Sequence, residues 1–138
     1  MNHNYKIHHN RPEVNEFIRL RKTIDWGEID FELAKNSLHN SLFDVSIYDQ
    51  DRLIGFGRVV GDGHLYFYLQ DVIVAPSHHN KGVGALVMKE IESYLSATAR
   101  KGATIGLLAA GGKEAFYLKY GYQERTGDPL GKGMCKFV

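Results

Sequence analysis

Three stretches between Phe43 and Val74 set the first constraint, because each reads as a strand and only short turns separate them. Phe43, Val45 and Ile47 alternate with Asp44 and Ser46, the two-residue period of a half-buried strand. Asp49-Gln50-Asp51-Arg52 is a turn, and Leu53 to Val60 is apolar enough for the returning strand. Gly61-Asp62-Gly63 turns the chain again, and His64 to Val74 is the longest strand candidate. In its first half Leu65, Phe67 and Leu69 alternate with Tyr66, Tyr68 and Gln70; Val72-Ile73-Val74 then follow Gln70-Asp71 without alternation. A β-bulge near residues 70 to 72 accounts for the change of phase, and bulges commonly sit beside active sites. A strand end sinking into the core accounts for it equally well.

Helices flank this block. Tyr5 to His9 is a short strand candidate, and Pro12 suits the first turn of a helix carrying Val14, Phe17, Ile18 and Ile24. Asp30 is the expected N-cap of a second helix with Ala34, Leu38 and Leu42 on one face. Beyond Pro76, a loop runs into a helix whose Val83, Leu86, Val87, Ile91, Tyr94 and Leu95 keep helical spacing. Thr104 to Leu108 reads as a strand, and Lys113 to Tyr120 as a short helix closed by Gly121. Met134 to Val138 is expected to close the sheet as a last strand. The order βααβββαβαβ predicts an α+β, or mixed α/β, layered fold in a single domain over residues 1–138.

Composition removes several functions. Lys plus Arg number 17 and Asp plus Glu 16, a net charge of +1, so nucleic acid is not the expected partner. One cysteine, Cys135, excludes an internal disulfide framework and a multi-cysteine zinc site. No apolar run approaches the roughly 18 residues of a membrane span. The stretch Met1 to Asn10 lacks a leader's apolar core, so a cytoplasmic address is expected, with no membrane partner. His8-His9 and His78-His79 are adjacent pairs; neighbouring strand residues face opposite sides, and no metal site is expected. Cys135 is expected as a small packed residue rather than an acyl carrier.

Of 15 glycines, only Gly27 falls in the first 50 residues. The sharpest use of glycine is His79-Asn80-Lys81-Gly82-Val83-Gly84, joining a strand to a helix. Two glycines there let backbone N–H groups approach a ligand, and the helix start offers unpaired donors and a positive dipole end. A Walker loop is absent, and the third glycine of a dinucleotide fingerprint is missing. Anion binding and a tight strand-to-helix turn both fit. Gly55, Gly57 and Gly61 are misspaced for either fingerprint and read as close strand packing.

Val74-Ala75-Pro76 followed by His79-Asn80-Lys81-Gly82-Val83-Gly84 resembles the acyl-CoA-binding motif of the GCN5-related N-acetyltransferases, the GNAT superfamily. Ala115-Phe116-Tyr117-Leu118-Lys119-Tyr120-Gly121-Tyr122 resembles that family's A-x-x-Y-x-x-x-G-F segment, in the right order and at a suitable separation. His79 stands where the family prefers Gln or Arg, Asn80 where Gly is frequent, and Ala110 where many members have Asn. The resemblance implies a twisted, mostly antiparallel sheet with flanking helices, in which strands 64–74 and 104–108 splay apart. It implies acetyl-CoA as co-substrate, its pyrophosphate on His79, Asn80, Lys81, Gly82, Val83 and Gly84 and its pantetheine along Val72, Ile73 and Val74. A deprotonated primary amine then attacks the thioester, Val72 N–H receives the oxyanion, and Tyr117 protonates the leaving thiolate. Without the resemblance, Tyr117 reads as an ordinary tyrosine of an amphipathic helix.

Asp71 is the carboxylate best placed to act as base, through water, although a hydrogen-bond partner that fixes the bulge is the favoured reading of it. Tyr66, Tyr68 and Gln70 either line the acceptor side or form one face of a packed strand. Trp26, Glu28 and Phe31 lie where the family shapes its acceptor pocket. The expected function is acetyl-CoA-dependent N-acetylation by direct transfer in a ternary complex. A small-molecule amine is favoured over a protein lysine or N-terminus, because no added peptide-recognition segment is seen. A catalytically weak acyl-CoA sensor and another phosphate-ligand binder are the alternatives. The family often forms homodimers, and no patch in this sequence decides the matter.

Overall fold

The computed structural model describes residues 4–138; Met1 to His3, part of the stretch read for a leader, lie outside them. Contacts divide the chain after Ile105 into a large unit and a small one, Gly106–Val138. In the large unit β1 (Tyr5–His8) is followed by α1 (Val14–Lys22) and α2 (Phe31–His39). The meander β2 (Phe43–Asp49), β3 (Arg52–Gly61) and β4 (Tyr66–Val74) comes next, then a 3-10 turn at Pro76–His78 and α3 (Val83–Thr98). A fifth strand, β5 (Thr104–Leu107), completes the sheet in the order β1-β2-β3-β4-β5. This is the expected mixed α+β fold, and β1 to β4 are antiparallel throughout.

Local chemistry fixes the element ends. The Asp30 carboxylate accepts the Leu33 amide at 3.0 Å, so α2 starts where its N-cap was expected. Pro12 is buried ahead of α1, whose first helical residue is Val14. The β3–β4 turn is held by one oxygen, Asp62 Oδ1, which accepts the amides of His64, Leu65 and Tyr66 at 2.8, 2.9 and 3.0 Å.

The sheet is covered on both faces. Phe17 of α1 meets Phe56 of β3 edge to face at 5.4 Å, with Leu20, Ala34 and Leu38 buried on the same side. On the opposite side α3 buries Val83, Val87, Met88, Ile91 and Leu95, and its Tyr94 stacks on Phe43 of β2 at 4.6 Å. Each such buried side chain contributes about 1.5–3 kcal/mol. The close approach of α3 depends on Gly55 and Gly57. A methyl at Gly55 would lie 2.7 Å from Val83 Cγ1, and one at Gly57 would lie 2.6 Å from Val87 Cγ1.

The register confirms the bulge. Phe56 pairs with Ile73 but Arg58 pairs with Gln70, so Asp71 and Val72 together oppose Gly57. Antiparallel partners share a face, which puts Tyr68, Gln70 and Ile73 on the side of Val60, Arg58 and Phe56, beneath α1 and α2.

In the small unit the short helix is α4 (Glu114–Leu118), tighter than the expected span. Residues 134–138 form no strand: Met134, Phe137 and Val138 are exposed, as is Cys135. The expected closing strand and packed cysteine are therefore absent among the described residues. A short, mostly apolar run of five residues does not make a strand without a neighbour to take its backbone hydrogen bonds.

Candidate active site

The carboxyl end of β4, the loop after it and the start of α3 form one continuous backbone feature. After the 3-10 turn, His79 is extended, Asn80 takes φ 62° and Gly82 takes φ 78° before Val83 opens the helix. Asparagine is among the few side-chain residues that visit this left-handed region routinely, which explains how Asn80 serves where glycine is frequent. The i→i−4 ladder of α3 begins with Leu86 N–H on Gly82 O at 3.1 Å, so the Val83, Gly84 and Ala85 amides precede it. No side chain caps them and no acidic residue sits in the first turn. A position for Cβ at Gly82 has nothing within 4 Å. An open, uncapped helix start suits an anionic phosphate group.

Two histidines fasten the loop. His79 Nε2–H donates to the Val74 carbonyl at 2.8 Å, returning the loop onto the end of β4. His78 Nε2–H donates to Asp49 Oδ2 at 2.8 Å, and its Nδ1 meets Ser77 Oγ at 2.7 Å. His78 therefore ties the 3-10 turn to the β2–β3 hairpin. His9 Nε2 contacts Glu90 at 2.6 Å on α3.

Asp71 sits at the bulge with φ 56° and is 4% exposed. Its Oδ1 accepts from Arg21 Nη1 at 2.8 Å and its Oδ2 from Arg58 Nε at 3.0 Å. Of the two roles open to it, this geometry favours holding the bulge, since each carboxylate oxygen already binds a guanidinium. Arg58 also donates to Ser37 O, Ser37 Oγ and Ser41 Oγ at 2.9, 2.6 and 3.0 Å. Arg21 lies 5.3 Å from the Trp26 ring and 5.8 Å from that of Phe17. Glu28 pairs with Lys22 at 2.9 Å on the surface, and Phe31 is largely exposed. Beside Arg58 across the sheet, Asp44 is buried, and desolvation pushes its carboxyl above the usual range.

Tyr117 belongs to the small unit, in α4, with the rings of Phe116 at 5.0 Å and Tyr122 at 6.3 Å. Burial pushes its phenol above the ordinary tyrosine value, which keeps the proton on oxygen at neutral pH. Ala110 is exposed, and its carbonyl accepts the Lys113 amide at 2.9 Å.

Sequence reasoning missed Arg21, Arg58, Ser37 and Ser41. A signal for Arg58 was present: it is one guanidinium inside the apolar run Leu53 to Val60, and a buried charge requires a partner.

A bulged β4 running into a glycine-bearing helix start, within a five-stranded α+β sheet, is the arrangement expected of an acetyltransferase fold. Comparison with known proteins agrees. The family model "Acetyltransferase (GNAT) domain" matches residues 43–124. An uncharacterized N-acetyltransferase of Bacillus subtilis, YjcF, is 34% identical over 82% of this chain and 73% of its own. An uncharacterized ycf52-like N-acetyltransferase of Prochlorococcus marinus is 31% identical over 91% of this chain and 68% of its own. A Staphylococcus aureus structure, described as a probable acetyltransferase of unknown function, superposes with TM-score 0.89 at 30% identity, covering 97% of this chain and 99% of that one. The chain belongs to the GNAT family and is an acyltransferase. Among the described residues no helix is long and apolar enough to cross a membrane.

Proposed function

We propose that this chain, as one catalytic domain, transfers the acetyl group of acetyl-CoA to a primary amine, with a small-molecule amine favoured and attack in a ternary complex. The observation that carries the reading is the uncapped start of α3 after a loop held by Asn80 and Gly82. In a family that uses acetyl-CoA, those amides fit its pyrophosphate. Acetyl-CoA supplies an activated thioester. His79, Asn80, Lys81, Gly82, Val83 and Gly84 bind the phosphates, and the backbone of Val72, Ile73 and Val74 aligns the pantetheine. Val72 N–H is the donor for the negative charge that grows on the acetyl oxygen. Tyr117, carried over from the family segment, keeps its proton at neutral pH and delivers it to the departing sulfur.

The test combines thermal shift with a panel of amines. Acetyl-CoA and CoA are expected to raise the melting temperature where ATP does not, and at least one amine is expected to release thiol. Stabilisation by ATP alone removes the reading. Binding of CoA with no thiol release from any amine replaces it with the sensor.

A further inference from the structure

Four non-glycine residues among those described take positive φ, and three of them, Asp25, Gln50 and Asn80, are exposed. Asp71 is different, being buried within a strand. An L-residue in this conformation costs on the order of 1–2 kcal/mol, and bulges that need it usually employ glycine. Glycine would take the conformation freely, but it would also leave it freely. An aspartate can be held by its side chain, and here it is held from helix α1 and from strand β3. Arg21 reaches Oδ1 from α1, while Arg58 reaches Oδ2 and is itself fixed to Ser37 of α2 and to Ser41 just beyond it. Arg58 is 7% exposed, so the ion pair is shielded from water and its donors have assigned acceptors.

We infer that Arg58, with Arg21, is a positioning residue that locks Asp71 in its left-handed conformation and thereby aims the next amide, Val72 N–H, at the acetyl carbonyl. The inference rests on the acetyl-transfer reading above. It makes Asp71 a fixed anchor and leaves the base to another group or to water. It also links α1 and α2 mechanically to the strand that presents the donor, through the planar fork of a guanidinium that a lysine cannot reproduce.

Arg58→Lys keeps the charge but loses the fork, and Arg21→Lys keeps the charge on a stem too short to place a donor where Nη1 meets Asp71 Oδ1. The Arg21 side chain is 18% exposed against 8% for Arg58, so its replacement is the milder of the two for folding. Three quantities are read for each variant: the Val72 amide resonance in the ligand-free protein, the CoA dissociation constant by calorimetry, and kcat with acetyl-CoA and the best amine. The expected result is a displaced Val72 resonance, CoA affinity within about twofold of wild type, and kcat lowered about tenfold or more. That is less than the roughly 100- to 1,000-fold lost when an oxyanion donor is removed outright. Loss of kcat in proportion to CoA affinity, or an unmoved Val72 resonance with unchanged kcat, overturns the inference. If Arg58→Lys does not fold, Arg21→Lys decides by the same criteria. Asp71→Asn is expected to keep the acidic limb of the kcat/KM profile, and disappearance of that limb makes Asp71 the base instead. Wild-type protein that releases no thiol with any amine sinks the parent reading, whereas active wild type with unaffected lysine variants sinks this inference alone.

Discussion

Substituting Gly57 with alanine tests how closely α3 and β3 must approach. The added Cβ would stand 2.6 Å from Val87 Cγ1 and 2.9 Å from Ile91 Cδ1. Carbon atoms prefer separations of about 3.5–4.0 Å, so α3 or its side chains must retreat by about 1 Å. Overpacking of this kind costs about 1–3 kcal/mol. Gly57 does not use positive φ, so alanine's stiffer unfolded chain returns about 0.4–1 kcal/mol. The balance is a loss of about 1–2 kcal/mol, a fall in Tm of roughly 3–10 °C for a chain of this size. Urea and thermal unfolding measure it, and Val87→Ala provides the control. Alone, that change opens a cavity and costs about 2 kcal/mol; combined with Gly57→Ala, it removes one of the colliding methyls. The double variant should therefore be more stable than the two single losses predict, by about 1 kcal/mol. A Gly57→Ala protein as stable as wild type, or strict additivity in the double variant, refutes the packing account.

Further outcomes follow from other groups. Tyr117→Phe should lower kcat with acetyl-CoA affinity nearly unchanged, as read by calorimetry beside turnover; equal turnover makes the tyrosine structural. Asp44 has a raised folded-state pKa, first from burial, so its stabilising contribution is present below the unfolded value of about 3.9 and is lost as pH rises through the folded value. Melting curves should therefore show Asp44→Asn gaining on wild type as pH rises from about 4 to neutrality, and a decline would reverse the assignment. Glu16 has the opposite sign, its pKa lowered mainly by the Arg19 hydrogen bond. The advantage of wild type over Glu16→Gln should shrink as pH falls through the carboxylate range, and a constant gap would show no linkage. Asp30→Ala should cost about 1 kcal/mol in urea unfolding by uncapping α2, and no change would mean that another group takes its place.

Much of this structure is local and was legible from local pattern. The break in alternation at Gln70-Asp71 marked where the strand changes phase, because side-chain phase is a property of one strand, and the register then decided for a bulge over a buried strand end. Asp30 announced α2, since a cap acts across three residues. Gly55 and Gly57 announced close packing without revealing that α3 was the neighbour. What escaped is nonlocal. Asp71 meets Arg58 across the hairpin and Arg21 from a helix fifty positions earlier, and no short window contains all three. The same limit explains the last segment: Met134 to Val138 is apolar enough for a strand, but a strand is made by its neighbour. In the candidate site the glycine loop could be placed from sequence, whereas the engagement of His79 with the Val74 carbonyl could not.

The dipeptide Gly57-Arg58 has a consequence for how this chain can change over time. Successive strand residues face opposite sides, so β3 presents its smallest residue to α3 and, one step on, its longest cation to Asp71. A one-residue insertion or deletion within β3 would exchange these sides. It would drive a guanidinium into Val87 and Ile91 and leave the Asp71 carboxylate facing a gap. Length variation should thus be confined to the hairpin ends, near Gln50 and Gly63, where the backbone already turns with positive φ. Two adjacent residues with incompatible neighbours act as a reading-frame mark for the whole central strand.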